Sequence, residues 1–219
     1  MTKLLIFDTE TTGLFPRHFN PTEQNIKDKV ASLPYIVQFS CILFETKTMR
    51  IIDTLNEVVK LSDDVNISQE SINIHGITRT KSNMGVSILE CIDRFNDLYN
   101  ASDIIIAHNF KFDAQMINVE CLRNNKEYLL ENTEKTIYCT MQNSIDLCSI
   151  VVKNKLGNYK KFPKLEELHE ELFQMVPHNL HDSYHDILIT LRCFLKMSNN
   201  IDVFEKNESI KKYCEVHIM

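Results

Sequence analysis

The hydrophobic pattern predicts that the chain opens with a succession of strands. The apolar run of residues 3–8 (KLLIFD) is followed by the turn-prone letters TETTG, so it predicts a buried first strand that carries Asp8 at its carboxyl end. Residues 36–44 and 50–61 are apolar and partly alternating, which predicts a second and a third strand.

The second half of the sequence alternates between helical and strand patterns. Apolar residues recur at helical spacing from Ser87 onwards, and the segment runs into SDIIIAHN, residues 102–109, which predicts a fourth strand. The remaining predicted elements are helices after Asn109, over 165–173 and over 187–195, and a short strand over 136–142. Strands followed by alternating helices and strands indicate an α/β fold with a central mixed five-stranded sheet flanked by helices.

Two segments lie outside this alternation. Residues 16–34 are polar, contain three prolines and form an unusually long connection, which is typical of a functional or mobile loop. We interpret this connection as a candidate loop for substrate or a protein partner, with an ordered short helix as the alternative. The charged tail over 200–219 predicts a final helix or a partly loose extension that offers a second partner surface. The expected organisation is one domain over 1–199 and a C-terminal extension over 200–219.

Composition and charge narrow the class of protein. The 219 residues are 43% hydrophobic and 25% charged, as in ordinary globular domains. No apolar run reaches the roughly 18–20 residues of a membrane helix, and the N-terminus lacks a signal-peptide core, so we expect a soluble, intracellular protein, cytoplasmic or nuclear. Seven scattered cysteines without a C-x-x-C pair indicate reduced thiols. The net charge of −6 confines any contact with nucleic acid to a local surface.

Asp8 and Glu10 form the first candidate site. The two acids lie two residues apart, so in extended geometry their side chains point to the same face of the first strand. Two carboxylates about 5 Å apart repel by roughly 3 kcal/mol at an effective dielectric constant of about 20, so the pair favours a bound cation. The alternative is two solvated acids at the end of a strand.

Three motifs give the sequence a family resemblance. The stretch FDTETTG, residues 7–13, resembles the first motif of the DnaQ-like, DEDDh-type 3′-to-5′ exonucleases of the ribonuclease H-like superfamily. The stretch IIIAHNFKFD is similar to their second motif, with Asp113 as its acid. The stretch HDSYHD resembles the third motif, with His181 and Asp186, although Ser183 stands where the family usually has alanine. The three motifs occur in the family's order.

The resemblance implies a ribonuclease H-like fold and a metal-dependent exonuclease. Such an enzyme shortens single-stranded or frayed DNA from its 3′ end and releases nucleoside 5′-monophosphates by a two-metal mechanism. Carboxylates suit Mg²⁺ or Mn²⁺, so the resemblance implies two such ions per active site. By resemblance, the metal ligands are Asp8, Glu10, Asp113 and Asp186. His181 is the implied general base, since an imidazole takes up protons near neutral pH.

Contacts with the substrate follow less directly from the motifs. By resemblance, residues near the terminal nucleotide are Thr11, Thr12, Leu14, His75 and Asn109, and the alternative is a plain turn with Leu14 in the core. A basic run with interleaved Tyr159 and Phe162 predicts an electrostatic and stacking patch for a single strand, or else a solvated loop. Its lysines are Lys153, Lys155, Lys160, Lys161 and Lys164. His178 and His185 are interpreted as bystanders.

Several functional alternatives stay open. The motifs do not distinguish DNA from RNA, so an exoribonuclease that trims RNA ends or short oligoribonucleotides is the main alternative, with DNA favoured. The letters DTETT also approach the D-x-D-x-T of haloacid dehalogenase-like phosphotransferases, but Glu10 replaces their second Asp. A non-catalytic nucleic-acid-binding module is a remote alternative, since all four acids and the histidine are present.

Overall fold

A five-stranded mixed sheet forms the centre of the protein. The computed structural model describes residues 2–19, 23–127, 130, 134–155 and 157–219. The strands of the sheet are β1 (Lys3–Thr11), β2 (Ile36–Glu45), β3 (Arg50–Val58), β4 (Ile104–Ala107) and β5 (Thr136–Cys139). A separate ribbon consists of β6 (Val151–Asn154) and β7 (Gly157–Lys160).

Helices cover both faces of this sheet. They are α1 (Glu23–Lys29), α2 (Gln69–His75), α3 (Arg79–Asn83), α4 (Ile88–Ala101), α5 (Phe110–Arg123), α6 (Thr140–Asn143), α7 (Ile145–Cys148), α8 (Leu165–Phe173), α9 (Ser183–Asn199) and α10 (Glu208–His217), with 3₁₀ turns at Val30–Ser32 and Val203–Glu205. Within the described ranges, no helix has the length and apolar character needed to cross a membrane.

The central strand β1 determines the topology. The sheet order is β3-β2-β1-β4-β5, with β1 antiparallel to β2 and parallel to β4. β2 and β3 are antiparallel, whereas β4 and β5 are parallel. The predicted mixed five-stranded sheet is therefore confirmed. Its middle strand ends at the edge where β4 and β5 also end, because parallel strands present their carboxyl ends on the same side.

Alternation along β1 creates two hydrophobic layers. Leu5 and Phe7 pack with α4 and α5 on one face, while Leu4 and Ile6 pack with α8 and α9 on the other. All four side chains are fully buried or nearly so. A strand buried on both faces needs a continuous apolar run, which is the run that the sequence shows. Because side chains alternate, Asp8 and Glu10 extend the face that packs against α9.

The connection over 16–34 contains an ordered helix, as the alternative prediction had it. Residues 23–32 form α1 and a 3₁₀ turn, and residues 20–22 lie outside the described ranges. Arg123 of α5 ties this segment to the domain. Its guanidinium donates hydrogen bonds to three backbone carbonyls, those of Val30, Leu33 and Pro34. It also pairs with the buried Glu120 at 2.7 Å and stacks on the Tyr35 ring.

The C-terminal segment 200–219 contains the final helix that was one of the two predictions, α10, and it packs on the hydrophobic core instead of forming a loose extension. Five apolar residues of this segment are buried and pack against the α9 side of the sheet: Val203, Phe204, Ile210, Cys214 and Ile218. Arg192 of α9 donates to both carboxylate oxygens of Asp202, at 2.9 and 2.7 Å. A bidentate, nearly buried pair of this kind fixes the start of the segment to α9.

Short elements differ most from the sequence prediction. The strand predicted over 136–142 ends at Cys139, where α6 begins, and β3 ends at Val58 rather than at residue 61. The β6–β7 ribbon was not predicted, because its strands have four residues each and are mostly polar. Propensity carries little information over such a length, and pairing between the two strands decides the structure.

The Arg123–Glu120 pair predicts a stability difference. Arg123→Met leaves a buried carboxylate without its partner, so we expect the free energy of unfolding to fall by about 3–5 kcal/mol. Urea unfolding measures this loss. The matched control is Arg94→Met, which removes an exposed pair with Asp53 and should cost less than about 1 kcal/mol. Equal losses in the two variants would contradict the anchoring role of Arg123.

Candidate active site

Four acids from three segments line one cavity at the carboxyl end of β1. Asp8 and Glu10 come from β1, Asp113 from the first turn of α5 and Asp186 from the first turn of α9. The cavity has a volume of about 460 Å³. Its lining also includes Leu14, Asn109, Phe112, Phe162 and His181. The structure therefore brings together all four predicted metal ligands and the predicted base.

Asp113 is held against β1 by Thr9. Its Oδ1 accepts a hydrogen bond from the Thr9 backbone N–H at 3.1 Å and another from Thr9 Oγ1 at 2.7 Å. The preceding Asn109 has a left-handed backbone, with φ of 68°, at the turn between β4 and α5. This turn reverses the chain so that the first turn of α5 returns to β1. One carboxylate oxygen of Asp113 is thus engaged in the protein, and the carboxylate faces the other acids.

Asp186 and His181 are joined by the turn that starts α9. The His181 backbone N–H donates to Asp186 Oδ2 at 3.1 Å, and Asp182 caps the helix through the Tyr184 N–H. Asp186 Oδ1 is buried and has no hydrogen-bond partner among the described residues. The His181 side chain is exposed and its backbone φ is 70°. The turn therefore holds an orphaned carboxylate oxygen beside a solvent-accessible imidazole.

Ser183, the departure from the family pattern, has a matching partner in β2. Its buried hydroxyl lies 2.6 Å from Ser40 Oγ, and its N–H donates to Gln38 Oε1 at 3.3 Å. Ser40 and Gln38 also donate to Asn56 Oδ1 of β3. These bonds tie the start of α9 to the strands opposite Asp8 and Glu10, which pair with Ser40 and Gln38 in the sheet.

Burial makes the acid cluster electrostatically unfavourable. Desolvation, and then repulsion by Asp113 and Asp186, raises the pKa of Asp8 well above its usual range. The same two effects raise the pKa of Glu10 to about 9, and burial raises the pKa of Asp113 and of Asp186 to about 7. Within the part of the chain that the structure describes, no lysine or arginine forms an ion pair with these acids.

The residues present fit a divalent cation. Ligand atoms of Glu10, His181 and Asp186 lie within 4.8 Å of one another. Carboxylate oxygens are the ligands that Mg²⁺ and Mn²⁺ prefer. The orphaned Asp186 Oδ1 supplies an acceptor that a cation satisfies directly. Cation binding would also relieve the repulsion that raises the pKa values of the acids.

A second cavity of about 350 Å³ adjoins the first. The two cavities share Thr9, Glu10, Leu14 and Phe112. Leu14 is 79% exposed, so it projects between the cavities instead of joining the core. A protruding apolar side chain next to an aromatic ring is suited to contact a nucleobase.

Two further predicted substrate residues, Thr11 and His75, line the second cavity. His75 Nδ1 accepts a hydrogen bond from the Ile77 N–H at 3.0 Å, and burial lowers the pKa of the ring. The neutral ring therefore carries its proton on Nε2. Thr12 lies outside both cavities. Its Oγ1 accepts from the Tyr35 N–H at 3.0 Å, so its side chain supports the turn.

Sequence reasoning missed His108, which precedes Asn109 in the second motif. Its two ring nitrogens bond to Thr140 Oγ1 at 2.9 Å and to the Pro163 carbonyl at 3.1 Å. Since a carbonyl only accepts, Nε2 carries the proton, and burial lowers the pKa of His108 to about 4. His108 thus links β4 to the wall of the cavity near Phe162. The signal available in the sequence was its place within the second motif, IIIAHNFKFD.

The acid cluster predicts a pH-dependent stability. Raised folded-state pKa values mean that the folded chain binds more protons than the unfolded chain between about pH 4 and pH 9, so stability falls as pH rises through that window. Asp8→Asn removes a carboxyl that the folded chain at pH 8 must either protonate or hold against repulsion, so in EDTA at pH 8 we expect a higher Tm, by about 2–4 °C for each kcal/mol of this cost that is removed.

Thermal denaturation with and without Mg²⁺ tests this expectation. The increase in Tm caused by Asp8→Asn should become smaller as the pH is lowered towards 5. Mg²⁺ should raise the Tm of the unmodified chain more than that of the variant. Asp97→Asn, an exposed acid of α4, serves as the control for charge removal. A lower Tm for Asp8→Asn at pH 8 would show that the acids do not destabilise the fold.

Comparisons with known proteins agree with this geometry. A family model described as Exonuclease (RNase_T) matches residues 5–194. A search of curated protein sequences found no match. Many solved structures share the fold.

Exonuclease I of E. coli is among these structures. Its zinc-bound complex with single-stranded DNA has a TM-score of 0.64 and 18% identity, covering 94% of this chain and 42% of that one. Its complex with a dT13 oligonucleotide has a TM-score of 0.63 and 18% identity, covering 97% and 46%. This chain thus spans less than half of exonuclease I.

A 3′-exonuclease that recognises the histone mRNA stem-loop has a TM-score of 0.65 and 15% identity, covering 92% of this chain and 65% of that one. At these identities the structural matches establish the fold, and the family model establishes the family. The motifs, the sheet and the convergent acids agree with both. The chain therefore belongs to the DnaQ-like 3′-to-5′ exonuclease family of the ribonuclease H-like superfamily.

Proposed function

We propose that this chain hydrolyses phosphodiester bonds at the 3′ end of single-stranded or frayed DNA and releases nucleoside 5′-monophosphates. The observation that carries the proposal is the convergence of Asp8, Glu10, Asp113 and Asp186 with His181 in one cavity. The adjoining cavity, of about 350 Å³, offers room for the terminal nucleoside.

The four acids would hold two Mg²⁺ or Mn²⁺ ions. When bound, such ions lower the pKa of water and stabilise the charge on the leaving 3′ oxygen. Asp8 lines the same cavity as the other three acids, and repulsion by Asp113, Asp186 and Glu10 adds to burial in raising its pKa. We therefore propose Asp8 as the ligand that both ions share.

His181 is the proposed proton acceptor. Its backbone is fixed by the bond to Asp186, while its exposed imidazole lies close to Glu10 and Asp186. The ring therefore stands where it can take the proton of an attacking water and pass it to solvent. Leu14 and Phe112 contact the terminal base in this proposal, and His75 donates through Nε2–H to the sugar or phosphate.

DNA is the favoured polymer. The exonuclease I structures with this fold contain single-stranded DNA oligonucleotides, which supports a DNA substrate. The histone mRNA 3′-exonuclease has the same fold, so an exoribonuclease is the second candidate. We also propose an intracellular setting, because six of the seven cysteines are buried, as the reduced thiols of proteins in reducing compartments usually are.

A gel time course tests the proposed reaction. Matched 5′-labelled single-stranded DNA and RNA oligonucleotides are incubated with Mg²⁺ or EDTA. We expect a ladder that shortens from the 3′ end only with metal, and faster with DNA. His181→Ala should lower kcat by about 10²–10⁴-fold with little change in KM, because the loss is that of a general base.

His18→Ala is the matched control, since this exposed histidine lines neither cavity. Faster cleavage of RNA than of DNA would show that the preferred substrate is RNA. The proposed hydrolysis from the 3′ end would stand unchanged. Metal-independent cleavage, or full activity of His181→Ala, would contradict the proposed mechanism. Failure of the unmodified chain to cut either polymer would favour a binding module.

A further inference from the structure

The β6–β7 ribbon is the most basic segment of an acidic chain. Residues 149–165 contain five lysines and no acidic residue, whereas the whole chain has a net charge of −6. The ribbon is solvent-exposed along almost its whole length, apart from residue 156, which is not described. A positive segment of this kind is the local surface that an acidic protein needs for contact with a polyanion.

The five lysines differ in whether an acid neutralises them. Near the cavity, Lys160 pairs with Asp146 at 2.7 Å, Lys161 with Glu167, and Lys164 with Glu166 at 3.1 Å. Towards the tip of the ribbon, Lys153 and Lys155 form no ion pair with any described residue. The uncompensated charge therefore lies at the end of the ribbon that is farther from the acids.

One face of the ribbon continues into the active-site cavity. Lys153 pairs with Asn158 and Val151 with Lys160, and opposed residues of an antiparallel pair share a face. The Lys161 N–H donates to the Ile150 carbonyl at 3.0 Å, which extends the pairing beyond β7. Alternation then places Phe162 on the side of Lys160, and Phe162 is 54% exposed and lines the cavity.

The two cavities give the bound strand a direction. The second cavity lies on the side of Leu14 and His75, and the ribbon base at Phe162 borders only the first cavity. A terminal nucleoside in the second cavity places the scissile phosphate at the acids. The nucleotides on its 5′ side then leave through the first cavity past Phe162.

We propose that the β6–β7 ribbon docks the single strand upstream of the scissile bond, with Phe162 contacting a base and Lys153 and Lys155 contacting phosphates. The inference rests on the proposed exonuclease function and extends it to a named surface. A flexible, sequence-independent contact of this type combines stacking with charge attraction. It also explains how a chain of net charge −6 retains a polymer whose end reaches an acidic site.

Substrates of different length distinguish strand docking at the ribbon from hydrolysis at the acids, because a dinucleotide is too short to reach the ribbon. For the double variant Lys153→Gln/Lys155→Gln, we expect the ratio of kcat/KM for an oligonucleotide of about 20 residues to that for a dinucleotide to fall about fivefold to twentyfold. The dependence of log kcat/KM on log salt should become shallower by about 1.4 for the long substrate, because two phosphate contacts are lost. Lys47→Gln/Lys206→Gln, with the same charge change on exposed lysines at the opposite end of β1, should leave both quantities unchanged.

A binding measurement without turnover tests the ribbon proposal independently of the proposed exonuclease function. Fluorescence anisotropy of a labelled single strand in EDTA should show weaker binding by the ribbon variant than by the control variant. An unchanged length ratio together with unchanged anisotropy would overturn the ribbon proposal. If the unmodified chain cleaves neither substrate, the proposed function fails, while the anisotropy comparison still decides the role of the ribbon.

Independent contacts link the C-terminal helix to the loop that carries His181. The His178 N–H donates to the Ile218 carbonyl, and Asn179 Nδ2 donates to the His217 carbonyl at 2.9 Å. His185 Nδ1 bonds to the Asn179 carbonyl at 2.9 Å, and the Tyr213 hydroxyl lies 3.3 Å from His185 Nε2. Since a carbonyl only accepts, His185 carries its proton on Nδ1 and accepts from Tyr213.

The loop needs such support because of its backbone. Asn179 and His181 both have positive φ, at 52° and 70°, a region that residues other than glycine rarely adopt. Surrounding contacts must hold each residue there. We infer that α10, through Tyr213 and His185, positions His181 for proton transfer, so that neither His185 nor the C-terminal segment is a bystander.

Variants of His185 test this positioning role. His185→Ala should lower kcat about threefold to tenfold with KM unchanged, and His185→Asn, which keeps a donor for the Asn179 carbonyl, should recover part of the loss. Tyr213→Phe should lower kcat by a smaller factor. Tyr184→Phe is the control, because the Tyr184 hydroxyl makes no hydrogen bond within the described ranges. A fall in Tm without any fall in kcat would show a merely structural role.

Discussion

The repulsion among four buried carboxylates is the constraint around which the rest of the structure is built. Burial and mutual repulsion raise the pKa of Asp8 and Glu10 far above their usual values. Among the described residues, no lysine or arginine forms an ion pair with these carboxylates. Such a cluster keeps its geometry only if the elements that carry it are stable for other reasons. β1, buried on both faces, and the α9 side of the core supply that stability through apolar packing.

The side chains and backbone groups that hold the acids in place are uncharged. Thr9 donates two hydrogen bonds to Asp113, and the Ser40–Ser183 contact and Gln38 hold the start of α9. Neutral donors fix a carboxylate without competing for the charge that a metal ion requires. The two arginines with little exposure lie elsewhere: Arg123 anchors the first loop and Arg192 anchors the C-terminal segment. An arginine among the acids would satisfy them and thereby remove the cation site.

The local sequence pattern predicted the sheet and the pairing of Asp8 with Glu10. The motif resemblance predicted the other residues of the site. The shared face of Asp8 and Glu10 follows from the period of a strand, whereas Asp113 and Asp186 meet them only after the chain has folded over more than a hundred residues. Their proximity has no local signature, so only the family motifs predicted it. The support for the His181 loop was missed for a related reason. Two of its acceptors are the backbone carbonyls of His217 and Ile218, which any residue would provide.

The acids and the unpaired lysines lie in different places, at the cavity and at the tip of the ribbon. This arrangement allows an acidic site to act on a polyanionic substrate in the proposed reaction. The acids that attract metal ions repel phosphates, so the scissile phosphate approaches them favourably only when cations are bound. The lysines of the ribbon near the cavity are paired with Asp146, Glu166 and Glu167 rather than with the four clustered acids. In the proposed mode of binding, the unpaired charge of Lys153 and Lys155 attracts the strand at the end of the ribbon that is farther from the acids. In the proposed reaction, metal binding at the acids and strand binding at the ribbon are therefore separate events.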